Sequence, residues 1–234
     1  MNLKGKNILI TGGSSGLGKA AAKELIDRGA NVAITARNKE YLKNTADELN
    51  CLGINADVSK EEDVLRTYKT FLDKFGSLDV LINNAGLGRG WTTIDEVALE
   101  DLEYVFRINV FGAALMAREA AKLFKEQNHG NIINIGSTAA TKGFERGTVY
   151  AGSKWAIKGM TQCWQAELRK HNVRVMLLNP SYVPTAFGSE DKVQKEEEEN
   201  KLTASEIAHG IVTMLEMENR GFIPEFSVWA TNPF

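Results

Sequence analysis

Tyr150 and Lys154 are four residues apart in the stretch VYAGSKWAIKGM, which spans residues 149–160. The surrounding pattern predicts a helix over 150–170, on which a spacing of four places both side chains on one face. A free phenol has a pKa of about 10, and a nearby ammonium lowers the pKa of the phenol by favouring the phenolate. The two residues are therefore a candidate acid–base pair. The alternative is a lysine stem that packs on an aromatic ring.

Four glycines lie within TGGSSGLG, residues 11–18, directly after the first predicted strand. Glycine adopts backbone conformations that a Cβ atom forbids, and a helix that begins near Gly16 would direct free N–H groups at a phosphate. A plain strand-to-helix turn rarely needs four glycines. The spacing differs from GxGxxG, the commoner dinucleotide signature, so the motif by itself indicates only a nucleotide. The candidate contacts are Gly12, Ser14, Ser15, Gly16, Leu17 and Gly18.

The end of the second predicted strand bears on the type of nucleotide. A cofactor with a free ribose 2′-hydroxyl is usually met by Asp or Glu at this point, whereas this chain has Ala36 and Arg37. A guanidinium group suits a 2′-phosphate. Arg37 therefore predicts NADP(H) rather than NAD(H), and the alternative is an ordinary surface arginine after a strand.

Short apolar runs alternate with helix-like stretches along the chain. Runs such as ILI, VAI and VLI are continuously apolar, which is typical of a parallel sheet covered on both faces. The predicted strands are residues 7–11, 31–35, 53–55, 80–83, 130–135, 173–178 and 221–228. The predicted helices are residues 16–28, 39–49, 60–75, 99–126, 150–170 and 203–218. This alternation predicts a single α/β domain over 1–234, with a doubly wound, mostly parallel seven-stranded sheet flanked by helices on both faces.

The composition of the chain argues against several kinds of function and binding site. A net charge of −2 over 234 residues offers no basic surface for nucleic acid. We expect neither a signal peptide nor a membrane span, which would need about 20 apolar residues in a row. Cys51 and Cys163 lack metal or redox spacing and the three histidines are scattered. We therefore expect no metal site, and reduced thiols in a cytoplasmic protein.

Five motifs in chain order resemble the short-chain dehydrogenase/reductase family. They are TGGSSGLG, the run Asn83-Asn84-Ala85-Gly86, Asn109, Ser137 and the pair Tyr150-x3-Lys154. The resemblance extends from the first strand to about Thr185, and the 13 residues from Ser137 to Tyr150 also match the family. The length of the chain resembles the single-domain branch. This resemblance implies a Rossmann-like fold and a nicotinamide cofactor.

The resemblance also implies roles for four residues. Tyr150 would be the general acid in carbonyl reduction and the base in the reverse direction, and Lys154 would lower its pKa and hold the nicotinamide ribose hydroxyls. Ser137 would donate to the substrate oxygen, although Ser after a strand is otherwise typical of a turn or helix cap. Asn109 would hold a water molecule in a proton relay. For Asn109 the alternative is an amide satisfied by neighbouring backbone.

The remaining cofactor contacts follow from the same resemblance. Asp57 and Val58 would contact the adenine ring. Asn84, Ala85 and Gly86 would let the backbone approach the cofactor, and Pro180, Val183 and Thr185 would meet the nicotinamide. The chain departs from the family at Ser181, where glycine is usual, and at its end, which lacks the Thr-Gly-containing stretch of fatty-acid-type relatives.

These motifs predict an NADP(H)-dependent oxidoreductase that interconverts a ketone or aldehyde and an alcohol by hydride transfer, with a 3-oxoacyl or other small carbonyl substrate. The substrate pocket would come from residues 87–91, 138–146 and the loop at 182–202. The family implies a homotetramer or homodimer that associates through the helices at 99–126 and 150–170.

Two alternatives remain. One is a non-catalytic NADP-sensing protein on the same fold. The other is a scaffold protein that uses the acidic segment 190–199, which is otherwise interpreted as a solvated loop or as a mobile flap over the site.

Overall fold

The structure is a computed structural model that describes residues 1–187 and 195–233. The described residues contain seven strands: β1 (Asn7–Thr11), β2 (Asn31–Ala36), β3 (Leu52–Asn55), β4 (Val80–Asn83), β5 (Gly130–Ile135), β6 (Val173–Pro180) and β7 (Glu225–Val228). The α-helices are α1 (Gly16–Asp27), α2 (Lys39–Leu49), α3 (Glu61–Phe75), α4 (Leu99–Phe106), α5 (Ala113–Gln127), α6 (Thr148–Leu168) and α7 (Ala204–Glu216). Short 3₁₀ turns lie at Ile94–Glu96, Thr138–Ala140 and Arg169–His171.

The strands form one sheet in the order β3-β2-β1-β4-β5-β6-β7. Every neighbouring pair is parallel, so the sheet is parallel throughout rather than mostly parallel. The predicted doubly wound α/β architecture is confirmed.

Successive residues of β1 face opposite sides of the sheet, which explains why this strand is apolar along most of its length. Ile8 and Ile10 pack in one core together with buried residues of α1 and α7. Leu9 packs in a second core with Phe71 of α3 and Phe124 of α5. All five side chains are fully buried. A central strand such as β1 is apolar along most of its length because a core packs on each face of the sheet.

The chain order reverses beside β1, whose neighbours are β2 on one side and β4 on the other. Leu9 is in register with Ala33 of β2 and with Leu81 of β4. At such a reversal the connections leave the sheet toward opposite faces and open a crevice at the carboxyl ends of the strands, where ligands bind in sheets of this kind. The glycine-rich motif and the Asn83–Gly86 motif follow β1 and β4, so both lie at this crevice.

Three predicted segments differ in detail. The single helix predicted over 99–126 is divided into α4 and α5 by a π-helical turn, Arg107–Gly112, which contains Asn109. The last strand begins at Glu225 rather than at residue 221, directly after Pro224, which has no N–H for strand pairing. The predicted loop at 182–202 includes the acidic segment at 190–199. Residues 188–194 of this loop lie outside the described residues. Residues 195–199 are exposed and belong to no helix or strand.

The π-helical turn packs tightly on the loop that follows β3. A Cβ atom at Gly112 would lie 2.6 Å from Cγ2 of Val58, whose side chain is buried. Single π turns inside helices are frequent at functional sites. Here the close approach requires glycine at the end of the turn.

Replacing Gly112 by alanine should destabilise the protein because the added methyl group would overlap Val58 in a packed interior. We expect a loss of about 1–3 kcal/mol in the free energy of unfolding, measured by urea denaturation. Gly159→Ala in α6 is the matched control, since a Cβ atom there meets no described atom within 4 Å beyond its own helix backbone. The control should gain up to about 1 kcal/mol from helix propensity. Equal effects of the two substitutions would contradict the packing argument.

Candidate active site

The turn after β1 has a shape that only glycine accommodates at several positions. Gly12 and Gly16 have φ angles of +65° and +51°, which residues with a Cβ atom rarely adopt. A Cβ atom at Gly18 would lie 2.4 Å from the carbonyl oxygen of Gly12. The backbone of this turn is therefore free of side chains that would separate it from a ligand.

The N-terminus of α1 has the properties of an anion-binding site. Ser15, the N-cap residue, has extended backbone, is exposed, and makes no side-chain hydrogen bond to the helix. The first turn contains no acidic residue, so the unpaired N–H groups and the helix dipole favour a negative charge. The carbonyl of Ser14 accepts a hydrogen bond from the Thr45 hydroxyl at 2.9 Å, and Leu17 packs at the edge of the core. The predicted phosphate contacts are thus on one compact turn.

Thr11 and Asn84 join the loops that follow β1 and β4. The Thr11 hydroxyl oxygen accepts hydrogen bonds from the backbone N–H groups of Asn84 at 3.0 Å and Ala85 at 2.9 Å. The Asn84 amide donates to the carbonyls of Thr11 at 2.9 Å and Gly12 at 3.0 Å. A Cβ atom at Gly86 would lie 3.3 Å from Oδ1 of Asn109. Residues 84–86 are therefore held directly beside the glycine turn.

Arg37, Asp57 and Val58 lie at the carboxyl ends of β2 and β3. Arg37 is exposed, and its guanidinium donates to the hydroxyl of Tyr104 at 3.1 Å. Asp57 Oδ1 accepts from the N–H and the hydroxyl of Ser59 at 3.0 and 2.7 Å. These residues are at the same edge of the sheet as the glycine turn.

Lys154 and Tyr150 share one face of α6, as their spacing predicts. Lys154 is buried, its ammonium donates to the carbonyl oxygen of Ile135 at 2.8 Å, and it lies 5.7 Å from the centroid of the Tyr150 ring. Burial lowers the pKa of Lys154 to about 8. Burial also raises the pKa of Tyr150, and a hydrogen bond with Ser137 opposes that rise. The sequence argument expected a lowered pKa for Tyr150; the direction is reversed because burial disfavours the phenolate.

Ser137 combines a cap and a contact with Tyr150. Its hydroxyl oxygen accepts from the N–H of Ala139 at 3.1 Å, which makes it the N-cap of a short 3₁₀ turn. Its own N–H donates to Oδ1 of Asn179 at 3.1 Å. This geometry supports the capping alternative for Ser137, and its role toward the substrate oxygen stays a prediction.

Asn109 is held by hydrogen bonds at both ends of its side-chain amide. Oδ1 accepts from the N–H of Leu87 at 2.9 Å, and Nδ2 donates to the carbonyl of Leu87 at 2.9 Å and to the hydroxyl of Ser153 at 3.0 Å. Ser153 in turn donates to the carbonyl of Tyr150 at 2.7 Å. This geometry favours the alternative of a satisfied amide for the side chain, and the water-holding role stays a prediction.

The segment after β6 lies beside the glycine turn. Pro180 ends β6, Val183 packs against the core, and Thr185 is buried. A Cβ atom at Gly16 would lie 3.5 Å from Cβ of Thr185. Ser181, where glycine is usual in the family, donates its N–H to the carbonyl of Val228 at 2.9 Å. The pairing of β6 with β7 thus continues to this position.

A family model described as short chain dehydrogenase matches residues 6–197. The chain belongs to the short-chain dehydrogenase/reductase family. Uncharacterized oxidoreductase YxnA of Bacillus subtilis is 36% identical over 193 residues, which are 79% of this chain and 54% of YxnA. This chain therefore spans about half the length of that relative.

Two solved structures in the family are similar over nearly the whole chain. An alcohol dehydrogenase from the archaeon Thermococcus sibiricus, complexed with 5-hydroxy-NADP, has a TM-score of 0.89 and 27% identity and covers 97% of each chain. A 3-ketoacyl-(acyl-carrier-protein) reductase from Brucella melitensis, complexed with NADH, has a TM-score of 0.89 and 28% identity, over 99% of this chain and 100% of that one.

Several side chains next to these family motifs were not predicted individually. The rings of Trp91 and Phe187 each lie 5.5 Å from the Tyr150 ring, and the ring of Phe144 lies 6.2 Å from Trp91. All three come from loops, where hydrophobic periodicity gives no signal. Asn179 was also missed, although an amide in the apolar strand VRVMLLNP is itself a signal, because a buried amide needs partners.

The described part of the chain lacks the features of a membrane-spanning helix and of a metal site. No helix there is both long enough and apolar enough to cross a membrane. Residues 1–187 and 195–233 contain no group of three or more His, Cys, Asp or Glu side chains placed to hold a metal ion. Cys51 and Cys163 are free thiols, and burial raises the pKa of Cys51 to about 11.

The lowered pKa of Lys154 predicts a pH dependence of stability. Its pKa falls from an ordinary 10.5 to about 8 in the folded protein, so between these values the unfolded chain binds a proton that the folded protein has lost. Rising pH therefore stabilises the folded state through this group. We expect the unfolding free energy of wild type minus that of Lys154→Met to increase as the pH rises, by up to about 1.4 kcal/mol per pH unit. Urea denaturation without nucleotide at pH 7, 8, 9 and 10 measures this difference, and a flat or falling one would refute the assignment.

Proposed function

We propose that this chain is an NADP(H)-dependent oxidoreductase that interconverts a ketone or aldehyde and an alcohol by hydride transfer. The observation that carries the proposal is the buried ammonium of Lys154, which lies 5.7 Å from the centroid of the Tyr150 ring and donates to the carbonyl of Ile135. Family membership supports action on C=O and CH–OH groups. The two similar structures are an alcohol dehydrogenase and a 3-ketoacyl reductase, which supports the same pair of groups.

Tyr150 donates a proton to the substrate oxygen in the proposed reduction and accepts it in the reverse direction. Burial raises the pKa of Tyr150, so the proton is present at neutral pH when charge builds on that oxygen. Ser137, whose hydroxyl opposes the rise in the pKa of Tyr150, would donate to the same oxygen. A bound nicotinamide cofactor would supply the hydride.

Lys154 and the glycine turn hold the cofactor in this proposal. The Lys154 ammonium uses one donor on Ile135, and an ammonium has two more for ribose hydroxyls. A Cβ atom at Gly12 or Gly18 would collide with neighbouring backbone, so these glycines let the turn pack tightly. The N-terminus of α1, whose first turn has no acidic residue, would bind the pyrophosphate. The other proposed contacts are Ser14, Ser15, Gly16, Leu17, Asp57, Val58, Asn84, Ala85, Gly86, Pro180, Val183 and Thr185.

Tyr150→Phe removes the proposed proton donor and keeps the aromatic ring. We expect kcat to fall about 10²–10⁴-fold, while the affinity for NADPH, measured by fluorescence titration, stays within about threefold. Turnover is followed by NADPH absorbance with a panel of ketones and aldehydes. A variant that retains wild-type turnover would overturn the assignment of Tyr150. NADPH binding with no turnover of any compound by either protein would favour the NADP-sensing alternative.

The preference for NADP(H) is proposed from Arg37. Its exposed guanidinium is held at the edge of the crevice by Tyr104, and residues 36–37 include no carboxylate. The two similar structures contain an NADP derivative and NADH, respectively, so the choice depends on this chain's own residues.

Arg37→Ala should weaken NADPH binding about 10- to 100-fold, because a charge-assisted hydrogen bond to the 2′-phosphate is lost. NADH has no such phosphate, so its affinity should change little. Fluorescence titrations of both nucleotides measure the two constants, with Arg220→Ala, an exposed arginine near the end of the chain, as the control. Parallel losses for NADPH and NADH would refute a role in 2′-phosphate recognition.

Exposed apolar side chains around α4–α6 support association of this chain with copies of itself. Leu99 of α4, Phe111 of the π turn and Trp155 of α6 are 64%, 56% and 48% exposed, and large exposed apolar patches are typical of interaction surfaces. The proposal therefore includes a homodimer or homotetramer, which sedimentation equilibrium of the purified protein tests. Free Cys51 and Cys163 support a cytoplasmic location, which imaging of a fluorescent fusion tests.

A further inference from the structure

Three exposed aromatic side chains form a group of rings beside Tyr150, two in contact with its ring and the third in contact with one of those two. Trp91 comes from the loop after β4, Phe144 from the loop before α6 and Phe187 from the segment after β6; these three residues are the aromatic cluster. Trp91 and Phe187 each lie 5.5 Å from the Tyr150 ring, and Phe144 lies 6.2 Å from Trp91. Their side chains are 41%, 49% and 41% exposed in chain order. Apolar rings left open beside a proton donor are typical of a ligand-binding surface.

Two glycines allow the aromatic cluster to form. A Cβ atom at Gly88 would lie 2.4 Å from Cζ2 of Trp91 and 3.1 Å from Cε1 of Phe187. A Cβ atom at Gly147 would lie 2.6 Å from Cζ of Phe144. The backbone therefore lies directly against all three rings and limits their movement from that side. Rings that are supported in this way offer a ligand a flat apolar surface at low entropic cost.

The arginine closest in sequence to Trp91 is already paired. The Arg89 guanidinium lies 2.6 Å from the carboxylate of Asp101 and 5.4 Å from the ring centroid of Tyr104. It is thereby neutralised within the protein. The contacts that the aromatic cluster itself offers a ligand are apolar and aromatic.

We propose that the aromatic cluster selects carbonyl substrates that carry an aromatic ring on the carbonyl carbon. This inference rests on the proposed function. The substrate ring stacks on the aromatic cluster while the carbonyl oxygen meets Tyr150. In the reduction, hydride from NADPH forms the new C–H bond, the electron pair of the C=O π bond takes the Tyr150 proton to form O–H, NADPH becomes NADP⁺, and the phenolate regains a proton from solvent.

Methyl benzoylformate and methyl pyruvate test this selection, because they differ only by phenyl in place of methyl beside the ketone. We expect wild type with NADPH to have a kcat/KM at least about tenfold higher for methyl benzoylformate. Trp91→Ala and Phe144→Ala should each reduce that ratio about tenfold. Trp91→Phe keeps an aromatic ring and should hold the ratio within about threefold of wild type.

Leu65→Ala is the control variant. Leu65 is 48% exposed on α3, outside the aromatic cluster, and its loss should leave the ratio unchanged. Thermal unfolding of each variant checks that the fold is intact; Trp91 and Phe144 are exposed enough that we expect no large loss of stability.

The possible outcomes separate this inference from the proposed function. A wild-type ratio near one, or a ratio that neither alanine variant changes, overturns the inference and leaves the proposed function intact. If wild type reduces no carbonyl compound, the proposed function fails, and calorimetry with saturating NADP⁺ decides the role of the cluster. Tighter binding of methyl benzoylformate than of methyl pyruvate, lost in Trp91→Ala, supports an aromatic site; equal or absent binding overturns it.

Discussion

The hydrogen bonds between Thr11 and residues 84–85 hold the sheet together at the point where its chain order reverses. The Thr11 hydroxyl accepts two backbone N–H groups of the neighbouring loop, and the Asn84 amide returns two bonds to the glycine turn. A buried donor left without its partner costs about 1–3 kcal/mol. Because these bonds come from the adjacent loop, the glycine turn needs no side chains of its own to fix its shape. Its backbone can therefore face a ligand.

Polar groups also fix α6 against the sheet. Lys154 donates to the carbonyl of Ile135 in β5 at 2.8 Å, and Asn134 of β5 donates to the hydroxyl of Thr161 at 2.8 Å. Asn134 in turn accepts from Asn83 of β4 at 3.0 Å. Apolar packing alone is not directional, whereas these buried bonds determine how α6 is rotated on the sheet. That rotation directs Tyr150 toward the crevice.

Features of this structure that leave a local signal in the sequence were predicted, whereas features that depend on contacts between distant segments were missed. Short apolar runs, most of them continuous, located all seven strands, and the ordered motifs identified the family. The π turn at Arg107–Gly112 was missed because one inserted residue hardly changes helical periodicity. The direction of the pKa shift of Tyr150 was wrong because a spacing of four says nothing of burial. Trp91 and Phe144 meet only through loop conformation, which carries no periodic pattern.

Burial favours the neutral form of both Tyr150 and Lys154. It raises the pKa of the phenol and lowers the pKa of the ammonium, so each group is pushed toward its neutral form. A neutral phenol is the form that donates a proton, whereas oxidation of an alcohol needs the phenolate as base. Within the proposed function, burial therefore keeps Tyr150 in the form that donates a proton at neutral pH. Oxidation instead needs the phenolate. The Lys154 ammonium lies 5.7 Å from the ring centroid and, with a pKa of about 8, is mostly protonated at pH 7, so it supplies the positive charge that would stabilise that phenolate.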